Sequence, residues 1–155
     1  MPMEHISLPV LDESGQAKTR EQLETEPAPP DGHRLLQSPA YVDGIARGDV
    51  IRLDPDSPRG YALLERGGYL ALVLALASDD AKSSARLALE PGVKALQGSC
   101  EGGPARVLVY SIHASASFPE VEQLYDAFCA ANPGASWWFG NVYDPSSGAP
   151  LNWWK

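Results

Sequence analysis

Two apolar runs constrain this chain more than anything else in it. Leu70-Ala71-Leu72-Val73-Leu74 and Val107-Leu108-Val109-Tyr110 are almost unbroken by polar residues. Runs this short, without polar alternation, read as strands covered on both faces. Each is followed by helical spacing. After the first run (69–77), residues 79–89 place Ala81, Ala85, Ala88 and Leu89 on one stripe. Ser78 is the expected cap, Asp79 and Asp80 suit the positive end, and Glu90-Pro91-Gly92 should stop the helix. After the second run (105–113), Ser117 and Glu120 have capping-box spacing, and Val121, Leu124, Tyr125 and Phe128 recur at i, i+3, i+4 and i+7. Asn132-Pro133-Gly134 should end that helix. Residues 93–99 and 136–143 read as two more strands, the former polar enough for a sheet edge. The order β-α-β-β-α-β predicts a ferredoxin-like unit with the two apolar runs at its centre.

The N-terminal part reads differently. In residues 4–11, Ile6, Leu8 and Val10 alternate with His5, Ser7 and Pro9, as in a strand with one buried face. Pro9 lacks an amide hydrogen and fits an edge or a bulge. Residues 21–26 read as a second strand or a short helix, and 34–37 and 50–53 as strands. Gly48-Asp49 looks like a turn that uses a positive φ. Gly67-Gly68, between apolar segments 61–66 and 69–77, reads as a hairpin turn. The expected fold class is therefore α+β. A β-rich subdomain over residues 1–66, a small barrel or an open sheet, is joined to a ferredoxin-like βαββαβ subdomain over 67–145, with a tail over 146–155.

Charge narrows the partners. The 155 residues include 12 Lys and Arg against 20 Asp and Glu, for a net charge of −8. Residues 1–66 hold 12 of the acids and 7 of the bases. Such a surface repels phosphate backbones and anionic headgroups, so neither nucleic acid nor membrane is the expected partner. A basic protein or a cationic cleft is, and opposite charge speeds encounter with it. The start of the chain has no basic leader and no apolar run is long enough to span a bilayer, so a cytoplasmic location is expected. Cys100 and Cys129 are expected to be reduced thiols.

The catalytic motifs fail on context. Gly98-Ser99-Cys100-Glu101-Gly102 has the letters of a nucleophile elbow, but Gly103-Pro104 and a strand follow it where a helix should. His113, at a strand end, would be the base in a cysteine hydrolase. His5, His33 and His113 lack metal-ligand spacing, and Asp54-Pro55-Asp56 lacks the glycine and distal glutamate of a calcium loop. No enzyme, catalytic residue, metal or cofactor is expected. The aromatic C-terminus points to binding. On a strand, Trp137 and Trp138 face opposite ways, one buried and one outward. Trp153 and Trp154 either pack back on the body or anchor a partner. The expected contact residues are Asp43, Asp49, Asp54, Asp56, Trp138, Trp153 and Trp154.

Residues 33–73 add a resemblance. Pro39, Tyr41, Gly44, the run Gly48-Asp49-Val50, Tyr61 and Gly67-Gly68 resemble a bacterial family, domain of unknown function forty-two sixty-five. Small acidic proteins of this kind often sit beside secreted toxins. The resemblance thus implies an immunity protein, which binds a cognate bacterial toxin and occludes its active site or substrate surface. The alternative expectation is a small-molecule-sensing regulatory module of ferredoxin-like type.

Overall fold

The computed structural model of the protein describes residues 3–144 and 147–155, so the expected boundary at 145 and 146 lies outside the described residues. The chain first builds a five-stranded antiparallel meander: β1 (Glu4–Leu11), β2 (Ala17–Ala28), β3 (Gly32–Leu35), β4 (Val50–Leu53) and β5 (Tyr61–Glu65). The alternation in β1 acts as expected, burying Ile6 and Leu8. Ile6 pairs with Leu23 and Leu8 with Glu21, so Glu21, Leu23 and Thr25 of β2 share the inner face. Ile6, Leu8, Leu23, Leu35, Ile51 and Tyr61 form this sheet's core, with Val42 and Ile45 from the long 36–49 connection.

The second sheet holds β6 (Tyr69–Ala75), β7 (Gly98–Gly102), β8 (Val107–His113) and β9 (Ser136–Phe139), in the order β7-β8-β6-β9 with all neighbours antiparallel. The two apolar runs are the central pair. Leu70, Leu72, Leu74, Leu108, Tyr110 and Ile112 point at α1 (Lys82–Ala95) and α2 (Phe118–Ala131), meeting Ala85, Leu89, Val93, Val121 and Tyr125. The alternate residues Val73, Val107 and Val109 point the other way, against Ala40. Both faces are covered, which is why these strands carry no polar alternation.

These findings correct the expected fold class. The chain is mostly β, in two antiparallel sheets of five and four strands with two short helices. Among the described residues neither sheet closes into a barrel, and a ferredoxin-like βαββαβ unit is not evident. The 36–49 connection is the physical reason no free-standing helix-on-sheet unit is seen. It puts Ala40 on the outer face of the four-stranded sheet and Val42 and Ile45 into the core of the five-stranded one.

Local expectations are corrected too. Gly67-Gly68 does not turn a hairpin, because β5 ends one sheet and β6 sits at the centre of the other. A Cβ on Gly67 would lie 2.2 Å from the Gly48 carbonyl carbon, so the pair marks a crossing of two backbones. Pro91 and Gly92 do not stop α1, which runs to Ala95 after a single 3₁₀ turn at Asp79–Ala81, and Ser78 makes no side-chain cap. A Cβ on Gly92 would come within 2.6 Å of a Leu124 methyl, so the glycine lets α1 approach α2. For α2 the expectation holds: the Ser117 hydroxyl accepts from the Glu120 amide.

Candidate partner-binding site

Three carboxylates pin the 36–49 connection. Glu21 accepts from the amides of Ala40, Tyr41 and Val42 at 2.8, 2.9 and 3.0 Å. Asp49 accepts from the Ala46 amide at 2.9 Å and the Gly67 amide at 2.8 Å, with the Arg66 guanidinium at 3.4 Å. Glu101, from β7, accepts from the Ser38 amide and pairs with Arg47 at 3.2 Å. Burial pushes the carboxyls of Asp49 and Glu101 above the ordinary range, and the amides and arginines beside them oppose it. The residues that carry the family resemblance belong to this scaffold. Gly44 leaves room for the Tyr61 hydroxyl, which donates to the Asp43 carbonyl at 3.0 Å. Gly48, with φ +87°, takes the turn and accepts the approach of Gly67.

The exposed surface lies along β9, beside the point where the Gly44 amide of this connection donates to the Gly140 carbonyl. Among the described residues β9 is an edge strand, bonded only to β6 within its sheet. Gly140 donates to the Ala71 carbonyl at 2.8 Å, and Trp138 pairs with Val73. Antiparallel alternation then turns the backbone groups of Trp137 and Phe139 away from the sheet. A groove of about 300 Å³ runs along this edge, lined by Glu122 and Asp126 of α2 and by Trp137, Trp138, Phe139 and Tyr143. Trp137 and Phe139 face the helices, where Trp137 packs on Tyr125 with ring centroids 5.5 Å apart. The Trp137 indole donates to an Asp126 carboxylate oxygen at 2.8 Å, which fixes one wall of the groove. Trp138 comes round the opposite face and is 43% exposed; Tyr143 is 48% exposed. Aromatic faces and carboxylates in one concavity suit a cation.

The expected contact residues scatter. Trp138 stands on the groove, the outward member of its pair as expected. Trp153 and Trp154 are half-buried in the folded-back tail. The Trp153 indole donates to the Asn141 carbonyl at 2.9 Å under the Arg66 guanidinium, and Trp154 lies on Phe118. Asp54 and Asp56 occupy the β4–β5 loop, where the Asp54 carboxylate accepts from the Asp56 amide at 3.1 Å. Asp43 is exposed at the surface, and loss of part of its carboxyl's hydration to neighbouring protein, opposed by Arg59, raises its pKa. Asp49 is corrected: it is fully buried, its carboxylate is spent on internal donors, and it presents nothing to a partner. Cys100 and His113 are not brought together either. Cys100 pairs with Tyr110, and His113, three residues further along β8, points to the opposite face. Both cysteines are free thiols. Among the described residues no three His, Cys, Asp or Glu are grouped to hold a metal.

Sequence reasoning missed Glu122, Asp126 and Tyr143 as site residues, and Glu21 as a structural one. Glu122 and Asp126 carried a readable signal, since they are four apart on one side of a well-marked helix. For Glu21 the signal was an acid at an inward position of the alternation Glu21, Leu23, Thr25.

The chain belongs to the family described as a domain of unknown function, DUF4265, which matches residues 21–138. A crystal structure of a hypothetical protein from Neisseria gonorrhoeae is similar in fold. Its TM-score is 0.70 at 10% identity, over 90% of this chain and 95% of that one. No curated protein matches the chain. Among the described residues no helix is long and apolar enough to cross a membrane.

Proposed function

We propose that this protein acts by binding, not by catalysis, and that it docks a basic partner on the groove between α2 and the open edge of β9. The observation that carries this reading is the coincidence of three features in one place. An unpaired strand edge offers backbone hydrogen bonds to an extended segment. Two carboxylates, Glu122 and Asp126, offer countercharge. Two half-exposed rings, Trp138 and Tyr143, offer faces over which a Lys or Arg side chain can lie. The net charge of −8 speeds encounter with the same class of partner and works against nucleic acid and anionic membranes.

The partner in this reading is a cognate bacterial toxin with a cationic cleft, met in the cytoplasm and neutralised by occlusion, as an immunity protein would do. The family resemblance supports that choice, because small acidic proteins of this kind often sit beside secreted toxins. The test is co-expression with the toxin encoded next door, followed by titration of the purified pair. Trp138→Ala, at a half-exposed site outside the core, should fold normally and weaken binding by about 2 kcal/mol, roughly thirtyfold. Glu122→Lys with Asp126→Lys should mainly slow association and reduce its dependence on salt. Full protection of cells by the triple variant would refute the groove as the docking site. Failure of the unmodified protein to bind or protect against the neighbouring toxin would refute the choice of partner.

A further inference from the structure

A second cavity, of about 240 Å³, opens between α1 and the other edge of the four-stranded sheet. Arg86, Glu90 and Lys94 of α1 line it, with Ser99 and Cys100 of β7 and Tyr110 of β8. Cys100 is a free thiol, half-buried, directly across from Tyr110 on the helix-facing side of the sheet. Tyr110 is 1% exposed, and its hydroxyl has no hydrogen-bond partner. Tyr125, packed on it edge to face at 5.5 Å, is equally buried, and its hydroxyl also lacks one. An unsatisfied buried hydroxyl costs about 1–3 kcal/mol, so two side by side beside a thiol are an unusual expense. Burial pushes the pKa of both tyrosines far up, which keeps them as protonated donors.

The acceptor Tyr110 has within reach is the Cys100 sulfur, a weak one outside good hydrogen-bond geometry, and an oxygen added to that sulfur would be a strong one. The surroundings of the two thiols differ in the same sense. Cys100 opens on a cavity with two cations and one acid, and of these Glu90 and Lys94 pair with each other at 2.9 Å, leaving Arg86 as the net charge. Cys129 has Asp126 for a neighbour, and burial and that carboxylate both raise its pKa, so it resists becoming a thiolate.

We propose that Cys100 is a site of reversible oxidation by small hydroperoxides, whose sulfenic acid is held by the Tyr110 hydroxyl. The Cys100 thiolate attacks one oxygen of the peroxide. The O–O bond breaks, an S–O bond forms, and the released hydroxide (an alkoxide when the peroxide is organic) takes a proton and leaves as water or the alcohol. Sulfur loses two electrons and the peroxide gains them. The new oxygen then accepts from Tyr110. A first small thiol can condense with the sulfenic acid, releasing water and forming a mixed disulfide, and a second thiol attacks that disulfide and releases the cysteine.

The full-length protein is treated with hydrogen peroxide, then with dimedone, and labelled sites are mapped by peptide mass spectrometry. Cys100 should be labelled about tenfold more than Cys129. Tyr110→Phe keeps the ring and removes an unsatisfied hydroxyl, so it should fold at least as stably as the parent. In it, dimedone-trappable Cys100 should decay about tenfold faster to sulfinic acid. Tyr125→Phe gives a second variant should the first be poorly folded, with a smaller change in the same direction. Equal labelling of the two cysteines would overturn the proposal. So would an unchanged lifetime in Tyr110→Phe, or formation of mixed disulfides at Cys100 with no dimedone adduct.

Discussion

Asp49 accepts two backbone amides and faces the Arg66 guanidinium in a place from which water is excluded. Asp49→Ala strands the Ala46 and Gly67 amides and leaves Arg66 with the Gly44 carbonyl but without its countercharge, and should lower unfolding free energy by about 3 kcal/mol in urea titration. Protonation gives a second residue-scale prediction. The carboxyls of Asp43, Asp49 and Glu101 all have raised pKa values, first because of burial. An acid with a raised folded pKa binds its proton more tightly folded than unfolded, so stability falls as pH rises through that window. The urea midpoint should therefore be higher near pH ~4.5 than near pH ~7, and Asp49→Asn, which cannot ionise, should flatten the slope. Asp12 and Glu90, whose pKa values are lowered by local hydrogen bonds, lose their contribution only at more acid pH. Asp49 also shows where residue-level reading stops. Its turn beside Gly48 was legible, since Gly48 has the expected positive φ. Its burial was not, because the donors that satisfy it come from Gly67 and Arg66, far along the chain. That Trp137 and Trp138 face opposite ways was legible from period two, but which of them turns outward was not.

Elements were readable in proportion to how local their causes are. β1 and β4 have the expected bounds, and α2 starts at its expected cap, because alternation, periodicity and capping are contained within each segment. The end of α1 was misread because Pro91-Gly92 ordinarily stops a helix, whereas here Gly92 is needed against Leu124 of another helix. The Gly67-Gly68 crossing was misread for the same reason, its cause being the distant backbone of Gly48. These two glycines should respond differently to alanine. In Gly67→Ala the new methyl meets backbone at 2.2 Å, and the crossing must open, at a cost of about 3 kcal/mol or more. In Gly92→Ala it meets a Leu124 methyl that can rotate away, and alanine adds about 1 kcal/mol of helix propensity. The net effect at Gly92 should therefore stay within about 1 kcal/mol of zero. Thermal melts of the two variants by circular dichroism decide the point, and equal losses would contradict the distinction.

At the scale of the whole molecule, the two sheets are joined by more than a strand boundary. The 36–49 connection lies between them, with Ala40 against Val73, Val107 and Val109 and with Val42 and Ile45 in the opposite core. Polar bonds cross at several points. The Gly44 amide donates to the Gly140 carbonyl at 2.8 Å, and the Ser38 hydroxyl meets that of Ser111 at 2.7 Å. Arg47 pairs with Glu101, and Arg66 donates to the Gly44 carbonyl at 2.8 Å while covering Trp153 of the tail. Nothing in the order of strands announced this, because each contact joins residues tens of positions apart. The consequence is cooperative unfolding. All four tryptophans lie at position 137 or beyond, so indole fluorescence reports the four-stranded sheet and tail, while far-ultraviolet circular dichroism averages over both sheets. If the joint is as strong as its contacts imply, the two probes should give one midpoint in urea. Glu101→Ala removes the acceptor for the Ser38 amide and the partner of Arg47, at a cost of about 1–3 kcal/mol on one seam alone. In that variant the circular dichroism transition should broaden or move away from the fluorescence transition, as the five-stranded sheet loosens from its neighbour. Two separate midpoints in the unmodified protein would mean that the sheets fold as independent units and that the 36–49 connection is only a tether.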